Sequence, residues 1–188
     1  MMAERPAPSS TQVSEQQVGL AWLLRLRWGA LAGQLLALGV SWGALDLKLP
    51  YPTLLGLLSL TASSNGALSA LPGGRERPWL IPAVLVLDVL TLTAMLAYSG
   101  GASNPFTVLL LIHVALGSLL LEAKLAWALN ALTTVGFASL FFLPGSEHHH
   151  GMHGMHESGS RWSGHLIGMW VAYATAASFV AHFIGKVS

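Results

Sequence analysis

Residues 79–106 read WLIPAVLVLDVLTLTAMLAYSGGASNPF, and Asp88 is the one charged residue among them. At about 1.5 Å of rise per residue, the apolar part, residues 79–98, covers most of a hydrocarbon core roughly 30 Å thick. A helix makes that crossing because it satisfies its backbone groups internally, which lipid cannot do for it. The run then breaks at two adjacent glycines, Gly100 and Gly101, and Pro105 is suited to open a second helix. This stretch therefore predicts a spanning helix, a sharp break and a new start.

Five further apolar segments flank it, at residues 28–45, 53–71, 106–121, 125–143 and 164–184. The sequence thus predicts an all-α integral membrane protein with six transmembrane helices. Composition agrees: 53% of the 188 residues are hydrophobic and 9% charged, with mean hydropathy +0.60, which excludes a water-soluble domain. Nine basic and eight acidic residues leave no electrostatic footprint for nucleic acid. Cysteine is absent, so disulfides, thiolate metal sites and thiol redox chemistry are excluded within these residues.

Residues 1–19 are polar and Pro/Ser-rich, and read as a disordered cytoplasmic tail, not a signal peptide. Residues 20–188 form the predicted six-helix domain, with a His-rich outer loop at 144–163. Basic residues set the orientation. With the N-terminus inside, Arg5, Arg25, Arg27, Arg75, Arg77, Lys124 and Lys186 are cytoplasmic, and Lys48 and Arg161 face out. The expected topology is N-in, C-in. Small residues at four-residue spacing, Gly29 and Gly33 with Gly39 and Gly43 in the first span and Gly164, Gly168, Ala172 and Ala176 in the last, are suited to close helix approach. Packing within one subunit is the plainer reading of them than a dimer seam.

The outer junction Gly100-Gly101-Ala102-Ser103-Asn104-Pro105-Phe106 carries no charge. Bent backbone at a membrane interface leaves N–H groups that protein, water or a ligand must meet. A quinone has the chemistry for it, with two carbonyl acceptors on a flat apolar ring. Backbone N–H groups and the Asn104 amide are the candidate donors, and Phe106 the surface for the ring. Taken alone, the segment reads more simply as an interhelical turn.

A resemblance changes that weighting. GGASNPF, placed after the third of six spans, resembles the GGxxNPF heptapeptide of RegB/PrrB-type redox-sensing histidine kinases. Arg25-Leu26-Arg27-Trp28 followed by Gly33-Gln34 is similar to the LRW…GQ signature that begins that family's membrane domain, and Asp88 in the third span also fits the pattern. The resemblance implies that Gly100, Gly101, Asn104, Pro105 and Phe106 bind ubiquinone or a related quinone, with Ala102 and Ser103 in the variable places. It further implies a homodimer, a cognate response regulator and the inner membrane of a bacterium. Within these residues there is no phosphoacceptor-histidine motif and no ATP lid, so they are expected to sense, through a sixth helix leading to a kinase module outside them, and not to phosphorylate.

Other polar residues have plainer and sharper readings. Asp88 lies roughly 18 Å along its helix from Gly100, too far to touch a ring held there. With Gln34, Asn65 and Asn130 it falls at a similar depth, which suggests a buried polar layer that holds helices in register. His113, about two turns beyond Phe106, is a candidate quinone contact, with an ordinary interhelical hydrogen bond as the plainer account. Haem ligation by His113 and His182 is disfavoured by their different depths. In the outer loop, His148, His149, His150, His153 and His156 alternate with Met152 and Met155, a donor set suited to Cu or Zn. A solvated low-complexity loop is the default there. The alternative function, a membrane metal-binding or transport protein, rests on that loop.

Overall fold

The computed structural model describes residues 10–44, 48–70, 79–142 and 158–187, which are helical apart from short turns and connections. In chain order the helices are α1 (Ser10–Gly43), α2 (Tyr51–Ala70), α3 (Leu80–Tyr98), α4 (Leu109–Leu120), α5 (Ala123–Ser139) and α6 (Ser158–Val187). Two 3-10 turns, Gly101–Ser103 and Pro105–Val108, stand between α3 and α4. Among the described residues, three segments are long and apolar enough to cross a membrane by themselves: Ala21–Gly43, Leu80–Tyr98 and His165–Lys186. Pro105–Leu120 is a shorter apolar helix.

Several boundaries differ from the sequence reading. Helix α1 begins at Ser10, inside the stretch expected to be a disordered tail. No proline interrupts residues 10–43, and Glu15, Gln16 and Gln17 are good helix formers, so the apolar helix extends backward through them. Helix α6 likewise begins at Ser158, within the loop expected at 144–163. Helix α4 starts at Leu109 and not at Phe106, because the chain restarted by Pro105 first runs as a 3-10 turn.

The chain divides into two compact units, Met1–Leu47 with Leu58–Ile81, and Lys48–Leu57 with Pro82–Ser188. In the first unit, Leu23, Arg27 and Leu31 are buried at four-residue spacing along one stripe of α1, while Trp22, Leu26, Trp28, Leu35 and Leu36 are exposed. That inverted pattern suits a helix whose outer face meets lipid tails. Arg27, which the basic-residue pattern assigns to the cytoplasmic side, is buried within this unit. Its guanidinium donates to Ser64 Oγ at 2.7 Å and to Asn65 Oδ1 at 3.3 Å on α2. Asn65, fully buried, returns a bond from Nδ2 to the Leu24 carbonyl at 3.3 Å.

In the second unit α4, α5 and α6 pack on one another. The α4–α5 corner is short: Leu121 and Glu122 connect the helices, with the Leu121 N–H bonded to the Gly117 carbonyl at 2.9 Å. Glycine permits the close approach that follows, since a Cβ on Gly117 would lie 2.5 Å from Leu129 Cδ2. At Gly136 the same holds for α3, where a Cβ would stand 3.0 Å from Thr93 Oγ1. Helix α3 is the most enclosed span, with half of its apolar window buried against 17% for those of α1 and α6.

Candidate ligand-binding turn between the third and fourth helices

Two glycines break α3 for a conformational reason. Gly100 has φ 125° and ψ 5°, and Gly101 has φ 61°, values that L side chains rarely adopt. The reversal places Gly101 and Ala102 in the interior and Ser103, Pro105 and Phe106 at the surface. The space beside Gly100 is open, as a Cβ there would meet nothing nearer than Asn104 Cβ at 3.8 Å. Backbone strain alone therefore opposes substitution. Gly100→Ala is expected to destabilise the protein by about 1–3 kcal/mol. Thermal unfolding in detergent checks this.

Asn104 organises the turn. Its Oδ1 accepts from the Phe106 N–H at 2.9 Å, while its Nδ2 donates to the Ser99 carbonyl and to Ser99 Oγ, each at 2.8 Å. Ser99 Oγ in turn donates to the Met95 carbonyl at 2.7 Å, which ties the turn back into α3. Backbone bonds complete it, from Asn104 N–H to the Gly101 carbonyl at 3.2 Å and from Thr107 N–H to the Asn104 carbonyl at 3.1 Å.

This arrangement gives Asn104 internal partners. Asn104 is a candidate donor to a ligand carbonyl in the sequence, but both of its amide hydrogens have partners on Ser99. It shapes the turn from within. Ser99, which sequence reasoning passes over, is the residue it grips; a hydroxyl just ahead of a Gly-Gly break is the available signal. Among the described residues the Gly100 N–H has no backbone partner. Around it lies an exposed apolar rim: Tyr98, Pro105, Phe106 and Val108 all face outward, Phe106 at 48% exposure.

His113 is half-buried on α4, and its Nδ1 lies 2.8 Å from the Leu109 carbonyl one turn back. A carbonyl only accepts, so Nδ1 carries the proton, and in the neutral ring Nε2 is an acceptor. By 3-10 and α-helical periodicity, His113 returns to nearly the same side of the helix as Phe106, roughly 11 Å further along the axis. Asp88 is buried on α3, and Asn130 on α5 donates to Ser178 Oγ of α6 at 3.3 Å. The candidate metal residues His148, His149, His150, His153 and His156 lie outside the described residues. Among the described residues no group of three or more His, Cys, Asp or Glu side chains gathers into a metal site.

These helices, with apolar residues exposed on their outer faces and close approaches at Gly117 and Gly136, define a multi-pass helical membrane domain. Over residues 17–187 the chain belongs to the family of the PilS-like transmembrane domain, a six-transmembrane family. It is similar to the sensor histidine kinase RegB of Cereibacter sphaeroides, at 29% identity over 129 residues, which is 66% of this chain. The chain spans 28% of the length of that kinase. No solved structure matches it.

Proposed function

We propose that this domain is the quinone-responsive sensor region of a membrane histidine kinase. The reading is carried by the junction at 100–106: a glycine-broken backbone whose Gly100 N–H has no backbone partner among the described residues, beside the exposed ring of Phe106. A benzoquinone head can accept from that N–H and lie on Phe106 while its tail stays in the bilayer. The likeness to RegB, a sensor histidine kinase by name, supports the class. The domain sits N-in and C-in in the inner membrane of a bacterium, and works as a homodimer with a kinase module and a response regulator.

The signal runs from the turn into α4, which packs on α6, and leaves through the last turn of α6, which carries Lys186. A ligand drives this only if it binds two helix arrangements unequally. The His113 tautomer supplies one source of inequality, since in the neutral ring Nε2 accepts from a hydroquinone hydroxyl and does not donate to a quinone carbonyl. Helical side chains lean toward the N-terminus, which brings the imidazole toward the turn.

The test is a titration of the purified domain in lipid nanodiscs with a short-tailed ubiquinone analogue, oxidised and reduced. Saturable binding is expected, weakened about tenfold by Phe106→Ala, as suits the loss of one aromatic contact surface. The reduced form should bind more tightly, and His113→Phe should abolish that preference. Equal affinity in the intact domain and in Phe106→Ala would remove the site assignment.

A further inference from the structure

The seam between α5 and α6 holds two polar atoms buried without a partner, Asn130 Oδ1 and Tyr173 Oη. Their residues are 4% and 8% exposed. The Asn130 Nδ2 is used by Ser178 Oγ at 3.3 Å. Turning the amide over gives the oxygen to Ser178 and strands the nitrogen, so one end of Asn130 is unmatched in either orientation. The Tyr173 ring is fixed by stacking on Phe137, with centroids 4.6 Å apart, so its hydroxyl cannot swing away to find a partner. Thr133 is a polar neighbour of that hydroxyl, though the geometry between them falls short of a hydrogen bond. Its own hydroxyl donates to the Asn130 carbonyl at 2.9 Å, which leaves its oxygen able to accept. Ala177, fully buried on α6 between Tyr173 and Ser178, contributes only a methyl group to this stretch of the seam.

We infer that this seam is a binding site for one ordered water molecule. The chemistry the three side chains present is a donor from Tyr173 Oη, an acceptor at Asn130 Oδ1 and a second acceptor at Thr133 Oγ1. One water matches it by accepting once and donating twice, and three partners is the usual complement of a buried water. The bound water is a link between α5 and α6 that can be remade when one helix moves on the other, because it is not part of either chain segment. This site is separate from the turn at 100–106 and does not depend on what binds there.

The sign of one substitution tests it. If the Tyr173 hydroxyl is hydrogen-bonded to water, Tyr173→Phe removes a made bond and strands the rest of the bridge, and the thermal midpoint of the full chain should fall by about 2–4 °C. If the hydroxyl is dry and unmatched, deleting it relieves a cost, and an unchanged or raised midpoint overturns the proposal. Tyr98→Phe, at an exposed tyrosine, is the control and should leave the midpoint in place. An experimental map that resolves ordered water should show density within hydrogen-bond reach of Tyr173 Oη and Asn130 Oδ1. Empty or sterically closed space there would overturn the site as well.

Discussion

Asn104→Ala is expected to cost about 3 kcal/mol and to abolish ligand binding at the turn. The substitution removes three hydrogen bonds at once: the cap on the Phe106 N–H and the two bonds to Ser99. A lost cap costs about 1 kcal/mol and each further bond about as much. With the amide gone, nothing from residue 104 holds Phe106 to Ser99, so the apolar rim loses its fixed relation to Gly100. Two companions separate the roles of the two amide ends. Asn104→Asp retains an oxygen for Phe106 but sets a carboxylate against the Ser99 carbonyl, so it should fare no better than alanine. Asn104→Ser retains a cap alone and should fall between. Thermal unfolding in detergent reads all three, and an alanine variant that melts with the parent protein would show that the side chain is dispensable to the turn.

Arg27→Met is expected to be at least as damaging, at about 3–4 kcal/mol. Methionine fills a similar volume and suits lipid, so simple transfer arguments favour it. Those arguments fail here because the guanidinium satisfies Ser64 Oγ and Asn65 Oδ1, and Asn65 is fully buried. Removing a charged donor forfeits bonds stronger than neutral ones and leaves the Asn65 oxygen without that partner inside the unit. Arg27→Lys should recover part of the loss, since one ammonium can reach one acceptor but cannot reproduce the fork. Denaturation midpoints should rank the parent protein first, the lysine variant second and the methionine variant last. A methionine variant as stable as the parent would refute the role.

Much of this is legible in the sequence, and the limits have physical causes. Hydropathy places helices wherever lipid demands internally bonded backbone, so six helices can be read from composition along the chain. Gly100, Gly101, Asn104 and Pro105 are legible because each has a backbone preference of its own: positive φ, side-chain capping, fixed φ. Which neighbour an amide holds is not a local property, so the Asn104 grip on Ser99 escapes a reading of the sequence. Arg27 reads as a topology marker because positive charge predicts a side of the membrane and says nothing of burial. The start of α1 at Ser10 is missed for a related reason, since low apolarity over 10–19 reads as disorder although the residues favour helix. Asn130 is legible as a polar residue within a span, but that it and Tyr173 each hold an unmatched atom is not, because unmatched polarity is a property of packed helices and not of either segment.

The brevity of α4 has a consequence for the lipid around it. Twelve residues, preceded by a 3-10 turn of four, reach only about 26 Å, somewhat less than an average hydrocarbon core. Either the acyl chains beside that segment compress and the bilayer thins to meet it, or the Gly100–Phe106 junction lies below the headgroup plane. The domain is thereby sensitive to hydrophobic mismatch: membrane thickness, set by chain length and sterol-like fillers, becomes a mechanical load on the same few residues.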